Sequence, residues 1–136
     1  MNSPHPPGFE DDANNLGIDF DGVIHNYDRG FHDGTCYGEP LSGSLQALRQ
    51  LSEKFRIIIF TAKAKADRPL INGKTGTELV WEWLHKYGVA DCVFAVTAEK
   101  PRACLYIDDK GYRFETWSAT LDFIEKNIKG KYNEGL

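Results

Sequence analysis

The 136-residue sequence has few cysteines, and none of them forms a close pair. The sequence contains three cysteines, Cys36, Cys92 and Cys104, which lie far apart and make no C-x-x-C motif. Disulfide frameworks are typical of oxidising compartments and of even numbers of cysteines at regular spacings. The pattern therefore predicts free thiols that pack as small apolar side chains, in a protein of the reducing cytoplasm.

Long apolar runs and an excess of positive charge are also missing. The longest apolar runs, such as residues 57–60, fall far short of the ~20 residues that a membrane-spanning helix needs. Lys and Arg total 16 against 20 Asp and Glu, so the formal net charge is −4. No overall positive field exists to gather anionic membranes or nucleic acid. We expect no membrane partner, while nucleic acid stays open as a substrate because a local basic patch is compatible with this composition.

Short apolar segments alternate along the chain with amphipathic ones. Apolar residues recur at helical spacing near residues 41–54, 80–87 and 118–128, and Ser118 is the expected cap of the last helix. The apolar segments begin near residues 16, 56, 92 and 104. This alternation predicts an α/β fold, with a three-layer, Rossmann-like parallel sheet that carries helices on both faces. We expect one domain over residues 16–130, between a mobile tail at 1–15 and a C-terminal tail at 131–136.

Polar side chains end three of the predicted strands. Asp19 and Asp21 follow the first strand, Thr61 follows the second, and Asp108 and Asp109 follow the last. The carboxyl ends of parallel strands share one edge of the sheet, where open α/β folds bind ligands. Four carboxylates crowded there would repel one another, and a divalent cation would remove the repulsion. Because the ligands are oxygens, with no His or Cys at the strand ends, the pattern favours Mg²⁺ over Zn²⁺.

The same edge offers one candidate group for each part of a phosphoryl transfer. A carboxylate beside Mg²⁺ can attack phosphorus in line to give an aspartyl-phosphate. A second carboxylic acid can protonate the leaving oxygen and then activate water. A hydroxyl such as that of Thr61 and a lysine such as Lys100, which precedes the last strand, can hold the phosphoryl oxygens.

Four motifs resemble those of the haloacid dehalogenase (HAD) superfamily and occur in the family's order. L-G-I-D-F-D-G-V at residues 16–23 resembles the first motif, hydrophobic-D-x-D-G-[TV], and I-I-I-F-T at 57–61 resembles the second, a strand ending in Thr or Ser. Lys100 is similar to the lysine of the third motif, and L-Y-I-D-D at 105–109 to the fourth. The resemblance spans residues 16–109 and implies a HAD-like fold.

The resemblance also implies a role for each matched residue. Asp19 would be the nucleophile and Asp21 the general acid and base, while Thr61 and Lys100 would grip the phosphoryl group. Mg²⁺ would be held by Asp19, the backbone carbonyl of Asp21, and Asp108, with Asp109 in support. The presence of Asp21 favours ester hydrolysis over dehalogenation, because an alkoxide needs an acid to leave whereas a halide does not. The implied enzyme is a phosphatase, a phosphoric monoester hydrolase.

Neither position at which the superfamily inserts a cap domain has room for one. Residues 22–40 hold only a flap-sized segment, and residues 62–99 are used by one loop, one helix and one strand. The resemblance therefore implies a small capless member, a group that tends to act on large substrates or to close its site by oligomerisation. We expect a phosphorylated small molecule or macromolecule as substrate and leave a homo-oligomer open.

The segments flanking these motifs leave the origin of specificity open. A flap at residues 24–40 contains His25 and His32, either of which could contact the substrate, although we expect both to be surface histidines. Lys63, Lys65, Arg68 and Lys74 form a basic loop within residues 62–74. This loop is either merely solvated or grips an anionic substrate, mostly through Lys63.

Two other functions compete with the phosphatase. A HAD-like scaffold can retain these residues and serve as a non-catalytic binding module. Four carboxylates could instead hold two metal ions in a nuclease or other phosphodiesterase. The nuclease would not need Thr61 and Lys100 at these places.

Overall fold

The computed structural model describes residues 14–30, 32–108 and 112–128. The predicted metal ligand Asp109 lies outside them, as do the predicted tail at 131–136 and all of the N-terminal tail except residues 14 and 15. The strands are β1 (Asn15–Asp19), β2 (Arg56–Phe60), β3 (Val93–Thr97), β4 (Leu105–Asp108) and β5 (Tyr112–Arg113). The α-helices are α1 (Ser44–Ser52), α2 (Gly76–Lys86) and α3 (Trp117–Asn127).

The strands of the described residues form one sheet in the order β3-β2-β1-β4-β5. Each of its strand pairs is parallel, and β1 lies at the centre between β2 and β4. Helices α1 and α2 connect β1 to β2 and β2 to β3. The predicted α/β class with a parallel sheet is therefore confirmed.

One face of the sheet packs against the helices. Strand residues of this face, including Leu16, Ile18, Ile59 and Ile107, join a buried cluster. The register places Leu16 opposite both Ile57 and Leu105, so side chains of one parity in the central strands share this face. The same cluster takes in buried residues of all three described helices: Ala47, Leu48, Leu51, Val80, Trp83, Leu84, Trp117 and Ile124.

The opposite face meets no described helix, so the prediction of helices on both faces is wrong for the part of the chain that is described. Ile58 and Phe60 are buried there outside the helix-lined cluster. The Tyr106 ring covers Gly17, where an added Cβ would lie 2.9 Å from its Cδ1 atom. The reason is topological: two right-handed crossovers that step in the same direction across a sheet leave both helices on one face. The return from β3 to β4 is made by a segment without helix.

Helices α2 and α3 each begin at a threonine whose side chain caps the helix. Thr75 and Glu78 form a capping box at the start of α2, and Gly88, with φ of 73°, follows its end as expected. Helix α3 is capped by Thr116, whose hydroxyl accepts the Ala119 N–H at 3.2 Å, and not by Ser118. Within the described residues, no helix is both long and apolar enough to cross a membrane.

The flap, residues 24–40, is a hairpin-like excursion between β1 and α1. The Asn26 N–H donates to the Glu39 carbonyl at 2.9 Å, and the Leu41 N–H donates to the Ile24 carbonyl at 2.8 Å. A Cβ at Gly38 would overlap the Asn26 carbonyl oxygen, so the two arms of the flap are as close as glycine allows. The predicted flap is confirmed.

The three cysteines lie within the described residues, and all of them are free thiols. Cys92 is buried, and burial raises the pKa of the Cys36 thiol to about 12. A thiol that stays protonated is a poor nucleophile, as expected for a small packing side chain.

Helix α2 begins in direct contact with the turn that carries Lys63. A Cβ added at Gly76 would overlap the Lys63 carbonyl oxygen, and backbone cannot swing aside as a flexible side chain can. We expect Gly76→Ala to lower the free energy of unfolding by roughly 3 kcal/mol or more, measured by urea denaturation.

Gly73→Ala is the matched control for this change. Gly73 has φ of 79° but nothing within 4 Å of its Cβ position, so only the left-handed backbone opposes the substitution. The expected cost is about 1–2 kcal/mol. Equal losses in the two variants would contradict the close contact between α2 and the Lys63 carbonyl.

Candidate active site

Three neighbouring strands bring chemistry-bearing side chains to one edge of the sheet. Asp19 is the last residue of β1 and Asp108 the last of β4, and Ile18 pairs with Ile107 in the residue before. The register therefore sets Asp19 beside Asp108 on strands about 5 Å apart. Thr61 directly follows β2, on the other side of β1. The strand register thus places Asp19, Thr61 and Asp108 at the same edge of the sheet.

Asp108 is almost wholly buried and is ion-paired to Lys100. Its side chain is 4% exposed, and its Oδ2 atom lies 2.7 Å from the Lys100 Nζ. The ammonium group also lies 4.9 Å from the ring centroid of Tyr106 and 5.6 Å from that of Phe60. The segment between β3 and β4 thus delivers a lysine to the strand edge, where aromatic faces and a carboxylate stabilise its charge.

Asp19 and Thr61 are each oriented by the backbone that follows them. The Phe20 N–H donates to Asp19 Oδ1 at 2.8 Å. The Thr61 hydroxyl oxygen accepts the Lys63 N–H at 3.2 Å, and Thr61 itself is buried. Since a hydroxyl can accept and donate at the same time, Thr61 keeps a proton with which to hold an anionic oxygen.

Asp21 lies in the turn after β1 and is contacted on both carboxylate oxygens. Its Oδ1 atom is 2.9 Å from His25 Nδ1, and its Oδ2 atom is 3.4 Å from Lys63 Nζ. The turn is closed by the Phe20 carbonyl, which accepts the Ile24 and His25 N–H groups at 2.9 Å each. Asp21 is thereby held at the same end of β1 as Asp19.

Lys63 is not part of a solvated loop but is 5% exposed and faces Asp21. Its Nζ atom also lies 5.0 Å from the ring centroid of Tyr27 in the flap. Burial, and after it the negative charge of Asp21, raises the pKa of the Tyr27 phenol, so the ring stays neutral at physiological pH. Of the other basic residues in the loop, Lys74 pairs with Glu82 at 2.6 Å.

The sequence-based expectation for His25 is wrong, and the structure makes this residue a functional candidate. We expected a surface histidine, but His25 is 0% exposed and lies against Asp21. The available signal was its position directly after Val23 and Ile24, both of which are buried. A polar ring that continues an apolar run beside two acids is a candidate for burial against them.

The oxygen donors at the edge suit a hard cation. Within residues 14–30, 32–108 and 112–128, no group of three or more His, Cys, Asp or Glu side chains is arranged to hold a metal ion. Mg²⁺, however, is usually bound by one or two carboxylates together with waters and substrate phosphate. Asp19 and Asp108, side by side on adjacent strands, fit that requirement in donor type and number.

A cavity of about 230 Å³ opens beside Lys63, between the flap and the basic loop. Asp33 and Gly34 line it from the flap, and Arg68, Pro69 and Ile71 from the loop. The flap and the basic loop, which the sequence left as alternative origins of specificity, therefore both border this cavity. The cavity adjoins Asp21 through Lys63, which touches both.

No protein-family model, curated protein or solved structure matches this chain. The assignment of a function therefore depends on the residues and their geometry.

Replacing Lys100 tests the buried ion pair at the strand edge. In Lys100→Met the alkyl chain is kept, but the buried Asp108 carboxylate loses its partner at 2.7 Å. We expect the free energy of unfolding to fall by about 1–3 kcal/mol in metal-free buffer, measured by urea denaturation.

Lys126→Met is the control, because Lys126 pairs with Asp122 at 3.2 Å on the exposed surface of α3. Its loss should cost less than about 0.5 kcal/mol. Equal stability of the two variants would show that the ion pair between Lys100 and Asp108 contributes no more to the free energy of unfolding than a surface pair does.

Proposed function

We propose that this protein is a Mg²⁺-dependent phosphatase, a capless HAD-like enzyme that hydrolyses a phosphate monoester through an aspartyl-phosphate on Asp19. The observation that carries the proposal is the meeting of Asp19, Thr61 and Asp108 at the ends of three adjacent parallel strands. Lys100 and Asp21 reach the same edge through Asp108 and the turn after β1. The three free thiols support a cytoplasmic location.

In the first step, Asp19 attacks phosphorus. The nucleophile is one oxygen of the Asp19 carboxylate, which the Phe20 N–H orients by donating to Oδ1. The new O–P bond forms as the bond between phosphorus and the ester oxygen breaks. Asp21 supplies a proton to the departing oxygen, so the product leaves as an alcohol and not as an alkoxide.

In the second step, water hydrolyses the aspartyl-phosphate. Asp21, now a carboxylate, takes a proton from the water, whose oxygen bonds to phosphorus as the bond to Asp19 breaks. Inorganic phosphate is released, and both aspartates return to their starting states. One group thus serves as acid and then as base, which requires that Asp21 reach both the leaving oxygen and the water.

The remaining polar groups hold the phosphoryl oxygens. The Thr61 hydroxyl donates a hydrogen bond, and the ammonium groups of Lys100 and Lys63 offset charge that develops during transfer. Asp19, the Asp21 backbone carbonyl and Asp108, supported by Asp109, would hold Mg²⁺, which when bound neutralises negative charge on the phosphoryl group. The leaving group extends into the cavity beside Lys63, so the flap and the basic loop together select the substrate.

A phosphatase assay of Asp19→Asn tests the proposal. We expect the wild type to hydrolyse an aryl phosphate monoester in the presence of Mg²⁺ and to stop when the metal is chelated. Asp19→Asn should fall to background because an amide does not form the phosphoryl intermediate. Asp91→Asn, which alters a 77% exposed side chain elsewhere, should match the wild type.

Parallel assays separate the competing functions. Preference for the matching diester over the monoester would favour a metal-dependent nuclease or phosphodiesterase. Mg²⁺ binding without turnover of either ester, across a panel of phosphorylated metabolites and oligonucleotides, would favour a non-catalytic binding module. Full activity of Asp19→Asn would remove the aspartyl-phosphate from consideration.

A further inference from the structure

His25 connects the flap to the carboxylate that we assign as the acid and base. Its Nδ1 atom lies 2.9 Å from Asp21 Oδ1, and its Nε2 atom lies 2.8 Å from the backbone nitrogen of Gly38. The ring is 0% exposed, so these contacts are not shared with solvent. Both ring nitrogens are therefore committed to protein partners.

The hydrogen-bond partners determine which ring nitrogen carries the proton. The Gly38 N–H can only donate, so Nε2 accepts and carries no hydrogen. A neutral imidazole then has its hydrogen on Nδ1, which donates it to Asp21 Oδ1. The arrangement therefore defines one tautomer and the direction of both hydrogen bonds.

Aromatic neighbours keep the ring from turning. Phe20 stacks on it with centroids 5.0 Å apart and planes within 2°. Trp83 and Tyr37 meet it edge-on, at 5.6 Å and 5.3 Å. A buried ring packed on several sides has few alternative rotamers, so the donor at Nδ1 is held in a fixed position.

Gly38 is itself held at both of its polar backbone atoms. Its N–H donates to His25 Nε2, and its carbonyl accepts the Trp83 Nε1–H at 2.8 Å. The flap is thus anchored to α2 through Trp83 and to the turn after β1 through His25. The position of the His25 ring depends on this anchor as well as on its packing.

We propose that His25 is a positioning residue for Asp21, a role that rests on the proposed phosphatase function. By occupying Oδ1, the Nδ1–H fixes the plane of the carboxyl group and leaves Oδ2, the oxygen nearest Lys63, to exchange the proton with the leaving group and with water. His25 itself touches no reacting atom. Its loss should therefore impair the proton transfer more than the binding or attack steps.

The test uses the dependence of kcat/KM on the leaving group. 4-Nitrophenyl phosphate has a good leaving group and needs little protonation, whereas an alkyl phosphate needs a proton on its departing oxygen. Asp21→Asn is the reference: its loss on the alkyl ester should reach about 100- to 10,000-fold, with a much smaller loss on the aryl ester.

His25→Gln and His25→Asn separate the two hydrogen bonds of the ring. Gln places an acceptor near Nε2 for Gly38 but has no donor at the Nδ1 position, whereas Asn places an amide donor there for Asp21. We expect His25→Gln to lose about 10- to 100-fold on the alkyl ester and less on the aryl ester. His25→Asn should restore most of the alkyl activity, and His85→Gln, at an exposed position of α2, should behave as the wild type.

Wild-type protein supplies a measurement that does not depend on whether the variants fold. Two-bond ¹H–¹⁵N correlation spectra of the histidine rings should show His25 with its hydrogen on Nδ1. A hydrogen on Nε2 would overturn the positioning role, as would losses in His25→Gln that are equal for the two esters. If kcat/KM depended steeply on the leaving group in Asp21→Asn but not in His25→Gln, the positioning role of His25 would be overturned while the proposed phosphatase function would stand. No leaving-group dependence in Asp21→Asn would overturn the proposed acid and, with it, the role of His25.

Discussion

The register of β1 between β2 and β4 is the constraint on which the candidate site depends. Leu16 and Ile18 fill the core on one face, and their partners in both neighbouring strands are also apolar. Because side chains alternate between faces, a slip of one residue would move these side chains out of the core. The same slip would separate Asp19 from Asp108. Apolar burial thus stabilises the register, and the register sets the distance between the two carboxylates.

In the candidate site, lysines from connecting segments form ion pairs with carboxylates at the strand ends and in the turn after β1. The strands β1 and β4 end at Asp19 and Asp108. Lys63 lies in the turn after β2, and Lys100 lies in the segment between β3 and β4. Each ammonium group faces an aromatic ring as well as a carboxylate. The long lysine side chains therefore deliver charge to the edge of the sheet without requiring further strands there.

The flap is tied to this site through side chains and not only through the backbone. His25 and Trp83 hold the two polar atoms of Gly38, and His25 continues to Asp21. Asp33 and Gly34, which line the cavity, lie in the part of the flap between the two anchored residues His25 and Gly38.

The sequence by itself determined the α/β class, the positions of β1–β4 and of the three α-helices to within a few residues, and the strand-end residues Asp19, Thr61 and Asp108, whereas β5 was not predicted. Periodicity is a local property of the chain, and any parallel sheet brings the carboxyl ends of its strands to one edge, so these features can be predicted without knowing the other tertiary contacts. Only the tertiary structure decided that the described helices cover one face, that Lys63 is buried against Asp21, and that His25 lies in the core. Each of these outcomes depends on contacts between segments distant in sequence: crossover direction, the approach of α2 to the Lys63 carbonyl, and the closure of Gly38 and Trp83 over the His25 ring. A polar side chain carries no periodic signal that distinguishes burial against a partner from exposure to water, because the partner is supplied by another part of the fold.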